Sequence, residues 1–193
     1  MSHYCIVVDL NQCTGCMSCE VACKQENGVA LGQYWNKVLR VGQGSTTKDF
    51  KQYWVPSMSQ QCQDAPCVQV CPTGASYRNE DNVVLINKED CIGCRYCQMA
   101  CPYGVRSWNE ELKVMEKCTL CNHLTAAGDV PACVKACSSK CRYYGDLDDP
   151  ESDVSKVLAK HAPEDIHELK NVGNNPSTKY ILSAKIGKWE LGD

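Results

Sequence analysis

The sequence predicts a small α+β fold made of two copies of one cysteine-rich unit. Seventeen of the 193 residues are cysteine, and fifteen of them fall into four groups with two alternating spacing patterns. The first and third groups share C-x2-C-x2-C-x3-C, offset by 78 residues, and the second and fourth share a final C-x3-C, offset by 66 residues. Short strand-like runs precede the first and third groups. This A-B-A-B order indicates duplication of a unit that carries two sites.

The grouped cysteines make up most of the cysteine content. In chain order the groups contain Cys13, Cys16, Cys19 and Cys23; Cys62, Cys67 and Cys71; Cys91, Cys94, Cys97 and Cys101; and Cys118, Cys121, Cys133 and Cys137. Cys5 and Cys141 lie outside these groups.

The local sequence predicts the elements around the groups. The runs "YCIVVDL" and "NVVLINKE" favour strands before the first and third groups. The runs "CEVACKQE" and "CQMACPYG" favour short helices, the second stopped by Pro102. Residues 28–51 are expected to form a loop or insertion. A helix capped by Asp149, with Pro150 at its first position, is expected to follow the last group.

Composition and charge exclude several classes of protein. Phenylalanine occurs once and aromatic residues make up 7% of the chain, so something besides apolar burial must support the fold. The net charge is −3, and without a basic run the sequence gives no indication of nucleic-acid binding. No run is long enough for a membrane span. No signal peptide is recognisable, which predicts a cytoplasmic protein, the alternative being export with a partner that carries the signal.

The spacing of the third group, followed at once by proline, is that of bacterial ferredoxins, which bind iron–sulfur clusters through thiolates. Three cysteines wrap one cluster and the fourth reaches a second. Glycine in "TGC" and "IGC", at Gly15 and Gly93, allows a sharp turn around the inorganic core. Four zinc sites are the alternative, since zinc also uses C-x2-C pairs. An odd cysteine count and repeated short spacings argue against a disulfide framework.

Cross-ligation in a nested, duplicated arrangement predicts four ligand sets. Site a takes Cys13, Cys16, Cys19 and Cys137; site b takes Cys23, Cys118, Cys121 and Cys133; site c takes Cys71, Cys91, Cys94 and Cys97; and site d takes Cys62, Cys67 and Cys101.

Site d lacks one cysteine. The second group should begin C-x2-C, but position 59 is serine. Either the site holds a three-iron cluster, or another ligand completes a [4Fe-4S] cluster, with Ser59 the positional candidate and Asp64 a more distant one. The sequence therefore predicts at least three [4Fe-4S] clusters and a fourth that is either [4Fe-4S] with a non-cysteine ligand or [3Fe-4S].

The remaining candidates receive simpler interpretations. Cys5 lies in an apolar strand and is expected to be a small buried hydrophobe. Cys141 could replace Cys137 at site a, although Cys137 keeps the x3 spacing. Lys117, next to Cys118, is either a charge that tunes a cluster or a solvated lysine. The four histidines, His3, His123, His161 and His167, form no ligand-like pair.

These motifs support a family resemblance. The A-B-A-B order together with "CIGCRYCQMACPYG", "APCVQVCPTGA" and "GDLDDP" resembles the four-cluster iron–sulfur subunit of molybdopterin oxidoreductases, such as dimethyl sulfoxide reductase and polysulfide reductase. The resemblance covers residues 4–150. "SYRNEDNVVLI", "CPYGVRSWNEE" and "KCTLCNHL" further resemble the small subunit of pyrogallol–phloroglucinol transhydroxylase and catechol dehydroxylases. Departures from the family pattern are Ser59 for cysteine, Gln61 for histidine and Ser138 for proline.

The resemblance implies two ferredoxin-like modules. Residues 1–58 with 115–150 would form the outer module, residues 59–114 the central module, and residues 151–193 a C-terminal helix and docking arm with one strand in "KYILSA". It implies a non-catalytic subunit that relays electrons to or from a catalytic subunit holding a molybdenum or tungsten pterin. A membrane anchor subunit is a further expected partner.

Other functions fit the same sequence. A polyferredoxin subunit of a hydrogenase or formate-linked complex would use the same clusters with another partner. A zinc-stabilised interaction module and a redox sensor based on the incomplete site are the remaining alternatives.

Overall fold

The structure, a computed structural model, describes residues 2–43 and 51–192. Its strands are β1 Tyr4–Asp9, β2 Asn36–Gln43, β3 Lys51–Met58, β4 Ser76–Arg78, β5 Val84–Ile86, β6 Ser107–Asn109, β7 Val114–Glu116, β8 Arg142–Asp146, β9 Ile166–His167 and β10 Lys179–Ile181. Its α-helices are α1 Ser18–Asn27, α2 Pro66–Gln69, α3 Tyr96–Met99, α4 Asn122–Thr125, α5 Ala132–Lys135 and α6 Asp153–Leu158. Throughout these ranges, each helix is too short or too polar to cross a membrane.

The largest sheet has four strands in the order β8-β1-β10-β9. β1 is the predicted first strand, and its apolar residues are buried on both faces. It pairs antiparallel with β8 and parallel with β10. The C-terminal segment therefore supplies an inner strand of this sheet, between β1 and β9.

The other strands form three antiparallel hairpins, β2-β3, β4-β5 and β6-β7. The prediction of a loop over residues 28–51 is wrong for the part that forms β2, which pairs with β3 along its whole length. A glycine and several polar residues obscure the alternating pattern of a strand in the sequence. The strand is stabilised instead by its pairing with the apolar β3. The rest of the expected insertion, residues 44–50, lies outside the described residues.

The pairing register follows the sequence repeat. In β4-β5, Ser76 pairs with Ile86, and in β8-β1, Arg142 pairs with Val8. Ser76 and Arg142 are 66 residues apart, and Val8 and Ile86 are 78 residues apart. These are the same offsets that relate the cysteine groups. Sequence repeat and strand pairing thus agree in register.

The helices repeat in the same way. α1 and α3 both start after a left-handed residue, Met17 and Arg95, each with φ of 63°. α3 stops before Cys101 and Pro102, as predicted, whereas α1 continues for ten residues and ends at Gly28 in the left-handed conformation. Each turn between cysteines thereby leads directly into a helix that carries later cysteines of its group.

The helix after the last cysteine group begins later than predicted. The sequence places the cap at Asp149, but α6 starts at Asp153, and the side chain of Ser152 accepts a hydrogen bond from the Ser155 N–H. Pro150 lies in the preceding turn. The prediction is wrong because Ser152 is an equally good capping residue and its hydroxyl also donates to the Asp146 carbonyl at 2.6 Å.

Candidate iron–sulfur sites

Site c is a cavity at the start of the third cysteine group. The four cysteines assigned to it, Cys71, Cys91, Cys94 and Cys97, all line the cavity. α3 carries Cys97, and the loop before it carries Cys91 and Cys94. The turn requires glycine, because Gly93 has φ of 69° and a Cβ there would lie 2.7 Å from the Lys113 carbonyl oxygen.

Site a is the equivalent cavity in the first cysteine group. Its walls contain the four assigned cysteines, Cys13, Cys16, Cys19 and Cys137. A fifth cysteine, Cys141, also lines it. Gly15 has φ of 66°, and a Cβ at this position would overlap the indole of Trp54. The two cavities therefore have the same construction, with one additional thiol at site a.

Buried hydrogen-bond donors point to what these cavities hold. Arg106 lines the cavity of site c and Arg142 that of site a. Among the described residues, the buried Nε and Nη1 of Arg106, Nε of Arg142 and Nδ2 of Asn36 have no partner. Buried donors are rarely left unpaired, and the sulfurs of an iron–sulfur cluster accept N–H hydrogen bonds. The residues present thus fit an iron–sulfur cluster at each cavity.

The cysteines of site b lie together in the protein interior. Burial, followed by the neighbouring thiols of Cys118, Cys133 and Cys121, raises the pKa of Cys23 above its ordinary value. Burial raises the pKa of Cys118 to about 11, with Cys133 adding to the effect. Asn27 bridges the group, since its Nδ2 donates to the Sγ of Cys121 at 3.6 Å. Deprotonation of such thiols requires a positively charged partner such as iron.

Site d contains three cysteines and a residue from the C-terminal segment. Burial raises the pKa of Cys62, and the thiols of Cys67 and Cys101 raise it further, which places the three side chains together. The Nδ2 of Asn174 donates to the Sγ of Cys62 at 3.0 Å and to the hydroxyl of Tyr103 at 2.7 Å. Asn174 is 1% exposed. The amide therefore approaches the one site that is short of a cysteine.

The two ligand candidates for site d have different surroundings. Ser59 is buried immediately after β3. Asp64 is exposed, and its carboxylate accepts a hydrogen bond from Asn175 at 2.7 Å. Asp64 is thereby engaged with the C-terminal segment.

The C-terminal segment is fixed against the second cysteine group. The N–H groups of Gln63 and Asp64 donate to the carbonyls of Asn175 and Asn174 at 2.9 and 3.2 Å. The Ser177 N–H donates to the Gln60 carbonyl at 3.0 Å. These bonds hold Asn174 in place over Cys62.

Lys117 is buried between sites b and d. Its ammonium donates to the carbonyl of Cys118 at 2.7 Å and to that of Val84. Burial and the charge of Arg106 lower its pKa to about 8, while the thiolates of Cys118, Cys67 and Cys101 oppose this. Of the two sequence interpretations, the solvated lysine is wrong, because Lys117 is 2% exposed.

Two buried arginines near the clusters did not emerge from the sequence. Arg142 donates to the Sγ of Cys133 at 3.4 Å and lines site a. Its counterpart in the repeat is Ser76, whose hydroxyl accepts a hydrogen bond from Arg106 at 2.7 Å. Each cavity therefore receives one buried guanidinium, that of Arg142 from β8 at site a and that of Arg106, which directly precedes β6, at site c. The sequence does contain a signal for these two arginines, because each lies five residues after the last cysteine of a group.

The remaining side chains considered in the sequence lie away from the sites. Cys5 is fully buried in an apolar cluster with Val7, Val154 and Ile181, as expected of a small hydrophobe. His123 pairs with Glu26 at 2.9 Å, and His167 stacks on Trp189. These contacts are those of ordinary structural residues.

Comparisons with known proteins agree with this geometry. Residues 50–147 match the 4Fe-4S dicluster domain family. A Halobacterium salinarum protein assigned as the iron–sulfur subunit of a dimethyl sulfoxide reductase is 40% identical, over 94% of this chain and 79% of the relative. The arsenate respiratory reductase iron–sulfur subunit of Shewanella sp. is 34% identical, over 92% and 95%. A subunit of the sulfite dehydrogenase of Allochromatium vinosum is 36% identical, over 96% and 85%.

These relatives span most of the chain and most of their own length, and the matched family binds clusters of the kind that the cysteine spacing predicts. The resemblance found in the motifs is thereby confirmed. The chain belongs to the family of iron–sulfur subunits of molybdopterin oxidoreductases.

Proposed function

We infer that this protein is an electron-transfer subunit that serves a molybdopterin catalytic subunit through iron–sulfur clusters. The observation that carries this function is the pair of cavities, each lined by the four cysteines assigned to one cluster and by one buried arginine. The relatives are subunits of reductases and of a dehydrogenase. This supports the proposal over a hydrogenase-linked polyferredoxin and over a zinc module.

We propose four clusters, with the ligand sets given for sites a to d. Each cluster, when bound, accepts and returns one electron. Sites a, b and c each have four thiol ligands and are assigned [4Fe-4S] clusters. Site d, with Cys62, Cys67 and Cys101, takes either a [4Fe-4S] cluster completed by Ser59 or a [3Fe-4S] cluster.

The contacts between sites support a relay in the order a–b–d–c. Arg142 lines site a and contacts Cys133 of site b. Lys117 lies beside Cys118 of site b and the thiols of site d. Cys97 of site c is close enough to Cys67 of site d for their charges to interact. The buried cations offset part of the negative charge that clusters bring to the interior.

This order fits two modules. We propose an outer module, residues 1–58 with 115–150, that holds sites a and b, and a central module, residues 59–114, that holds sites c and d. The matched register of β4-β5 and β8-β1 supports their origin by duplication. Residues 151–193 add a helix and a segment that closes the sheet of the outer module and covers site d of the central one.

The surface around site c supports contact with the catalytic subunit. Ile92, Tyr96 and Met99 flank this site and are 66%, 55% and 73% exposed. The residues at the equivalent positions around site a are Thr14, Ser18 and Val21. Exposed apolar groups clustered beside a redox site are typical of a protein–protein interface. We assign this face to the catalytic subunit and leave the face of site a for a redox partner or a membrane anchor subunit.

Iron, zinc and acid-labile sulfide per chain after anaerobic purification test the four clusters. About sixteen irons with equivalent sulfide correspond to four [4Fe-4S] clusters, and about fifteen, with a three-iron EPR signal in the oxidised protein, correspond to three plus one [3Fe-4S] at site d. Zinc without sulfide would refute the electron-transfer function.

Co-purification tests the docking face. Met99→Asp should reduce recovery of the catalytic subunit at least tenfold, because a carboxylate would be buried in the interface. Val21→Asp, at the equivalent exposed position of site a, is the matched control and should leave recovery unchanged. Equal recovery in the two variants would refute the assignment of this face.

A further inference from the structure

The internal repeat provides a direct comparison for Cys141. Residues 71–76 and 137–142 follow the same backbone path, with left-handed Gly74 (φ of 72°) and Lys140 (φ of 53°) at equivalent positions. The N–H of each donates to the carbonyl of the preceding cluster cysteine, Cys71 at 3.3 Å and Cys137 at 3.1 Å. The residue that follows is Ala75 in one copy and Cys141 in the other.

Both residues occupy a wall of their cavity. Ala75 lines site c and Cys141 lines site a. Four thiols and the methyl group of Ala75 thus line site c, whereas five thiols line site a. Since the surrounding backbone is the same, the additional thiol is a substitution at a position that faces the cluster.

Cys141 is also within reach of the assigned ligands. Its Sγ lies 3.5 Å from the Sγ of Cys137, and Cys13 lines the same cavity. The backbone of Cys141 is fixed, because its carbonyl accepts a hydrogen bond from the Asp9 N–H at 2.8 Å. Cys5, by contrast, is buried among apolar side chains only. Cys141 thus has the position of a ligand, and Cys5 has that of a core residue.

We propose that Cys141 is a second, interchangeable fourth ligand of site a, so that the cluster can be held by Cys13, Cys16 and Cys19 with either Cys137 or Cys141. This rests on the proposed function, since it requires a cluster at site a. In the exchange, one iron–sulfur bond to Cys137 breaks and one to Cys141 forms. The proton of the Cys141 thiol passes to the released Cys137 thiolate across the 3.5 Å separation, and no electron is transferred.

The exchange provides a reserve ligand at site a, and site c lacks one. Cys137 is half-buried, whereas Cys141 is 2% exposed. A cluster that loses its bond to the more exposed thiol can be retained by the buried one. Site c has no such reserve, because its counterpart residue is alanine.

The experiment compares Cys137→Ala with Cys71→Ala in the full chain, purified anaerobically. Cys71→Ala should lose between one and about four irons per chain, as a [4Fe-4S] cluster with three thiol ligands either becomes [3Fe-4S] or is lost. Cys137→Ala should keep the wild-type iron and sulfide content and show no new three-iron EPR signal. Cys141→Ala alone should also keep the wild-type iron and sulfide content. The double variant, Cys137→Ala with Cys141→Ala, should lose iron as Cys71→Ala does.

Loss of iron in Cys137→Ala equal to that in Cys71→Ala would overturn the proposal. The wild-type protein separates this failure from a failure of the proposed function, because wild type without a cluster at site a would show fewer irons before any substitution. If an alanine variant does not fold, Cys137→Ser and Cys71→Ser make the same comparison with less change in volume. A serine oxygen that binds iron would change the EPR spectra of both variants alike. Only a difference in iron content or EPR spectrum between Cys137→Ser and Cys71→Ser therefore supports the exchange.

Discussion

The amide nitrogen of Asn174 lies 3.0 Å from the Sγ of Cys62, so a residue of the C-terminal segment donates a hydrogen bond to a thiol of the three-cysteine site. Its Oδ1 accepts from the Val172 N–H at 3.0 Å, which fixes the orientation of the amide. Hydrogen bonds to cluster sulfurs and exclusion of water both set reduction potentials. We therefore expect Asn174 to influence a cluster at site d through Cys62.

Replacing Asn174 by alanine is expected to lower the midpoint potential of site d, because the N–H group that stabilises the more negative reduced state is lost. EPR-monitored redox titration of the anaerobically purified protein measures this potential. Asn175→Ala is the matched control, since it removes the hydrogen bond to Asp64 but no contact with sulfur. Equal shifts in the two variants would contradict a direct action through Cys62.

Arg142→Gln is expected to lower the potentials of sites a and b together. The guanidinium is buried, lines site a and contacts Cys133 of site b. Removing a unit charge about 6 Å from a cluster, at an effective dielectric constant of about 20, lowers its potential by on the order of 100 mV. Redox titration of the same sample checks both sites.

Arg106→Gln is the equivalent test at site c. It should shift the potential of site c and leave site a unchanged, because Arg106 lines the cavity of site c and not that of site a. A shift of site a in this variant would mean that the two cations do not act on separate sites.

Gly15→Ala is expected to destabilise the protein and to reduce the iron bound at site a. Besides the cost of about 1–2 kcal/mol for a left-handed alanine, the added methyl group would overlap the Trp54 indole. Gly104→Ala is the control, because Gly104 has φ of 60° with open space around its Cβ position. Thermal unfolding together with iron analysis should show loss of iron in the first variant only.

Cys5→Ala should lower the free energy of unfolding by about 1 kcal/mol, because a buried sulfur is removed from an apolar cluster. Iron and sulfide content should stay at the wild-type values, as measured by metal analysis of the folded protein. Loss of iron in this variant would instead place Cys5 at a cluster.

Much of the fold and of the sites could be predicted because cysteine spacing encodes both. The C-x2-C-x2-C-x3-C run dictates a tight turn followed by a helix, which α1 and α3 provide. β2 could not be predicted, since its stability depends on pairing with β3 rather than on its own sequence. The position of Asn174 over Cys62 could not be predicted either, because a contact over 112 residues of sequence leaves no local pattern.

The C-terminal segment also determines an order of assembly. The strand β10 joins β1 and the residues before it cover site d, yet this segment is synthesised after all four cysteine groups. Until this segment has been made, Cys62 lacks its contact with Asn174, and one edge of β1 is unpaired. Pairing of β10 with β1 and coverage of Cys62 by Asn174 are therefore completed together, by one segment that follows the fourth cysteine group.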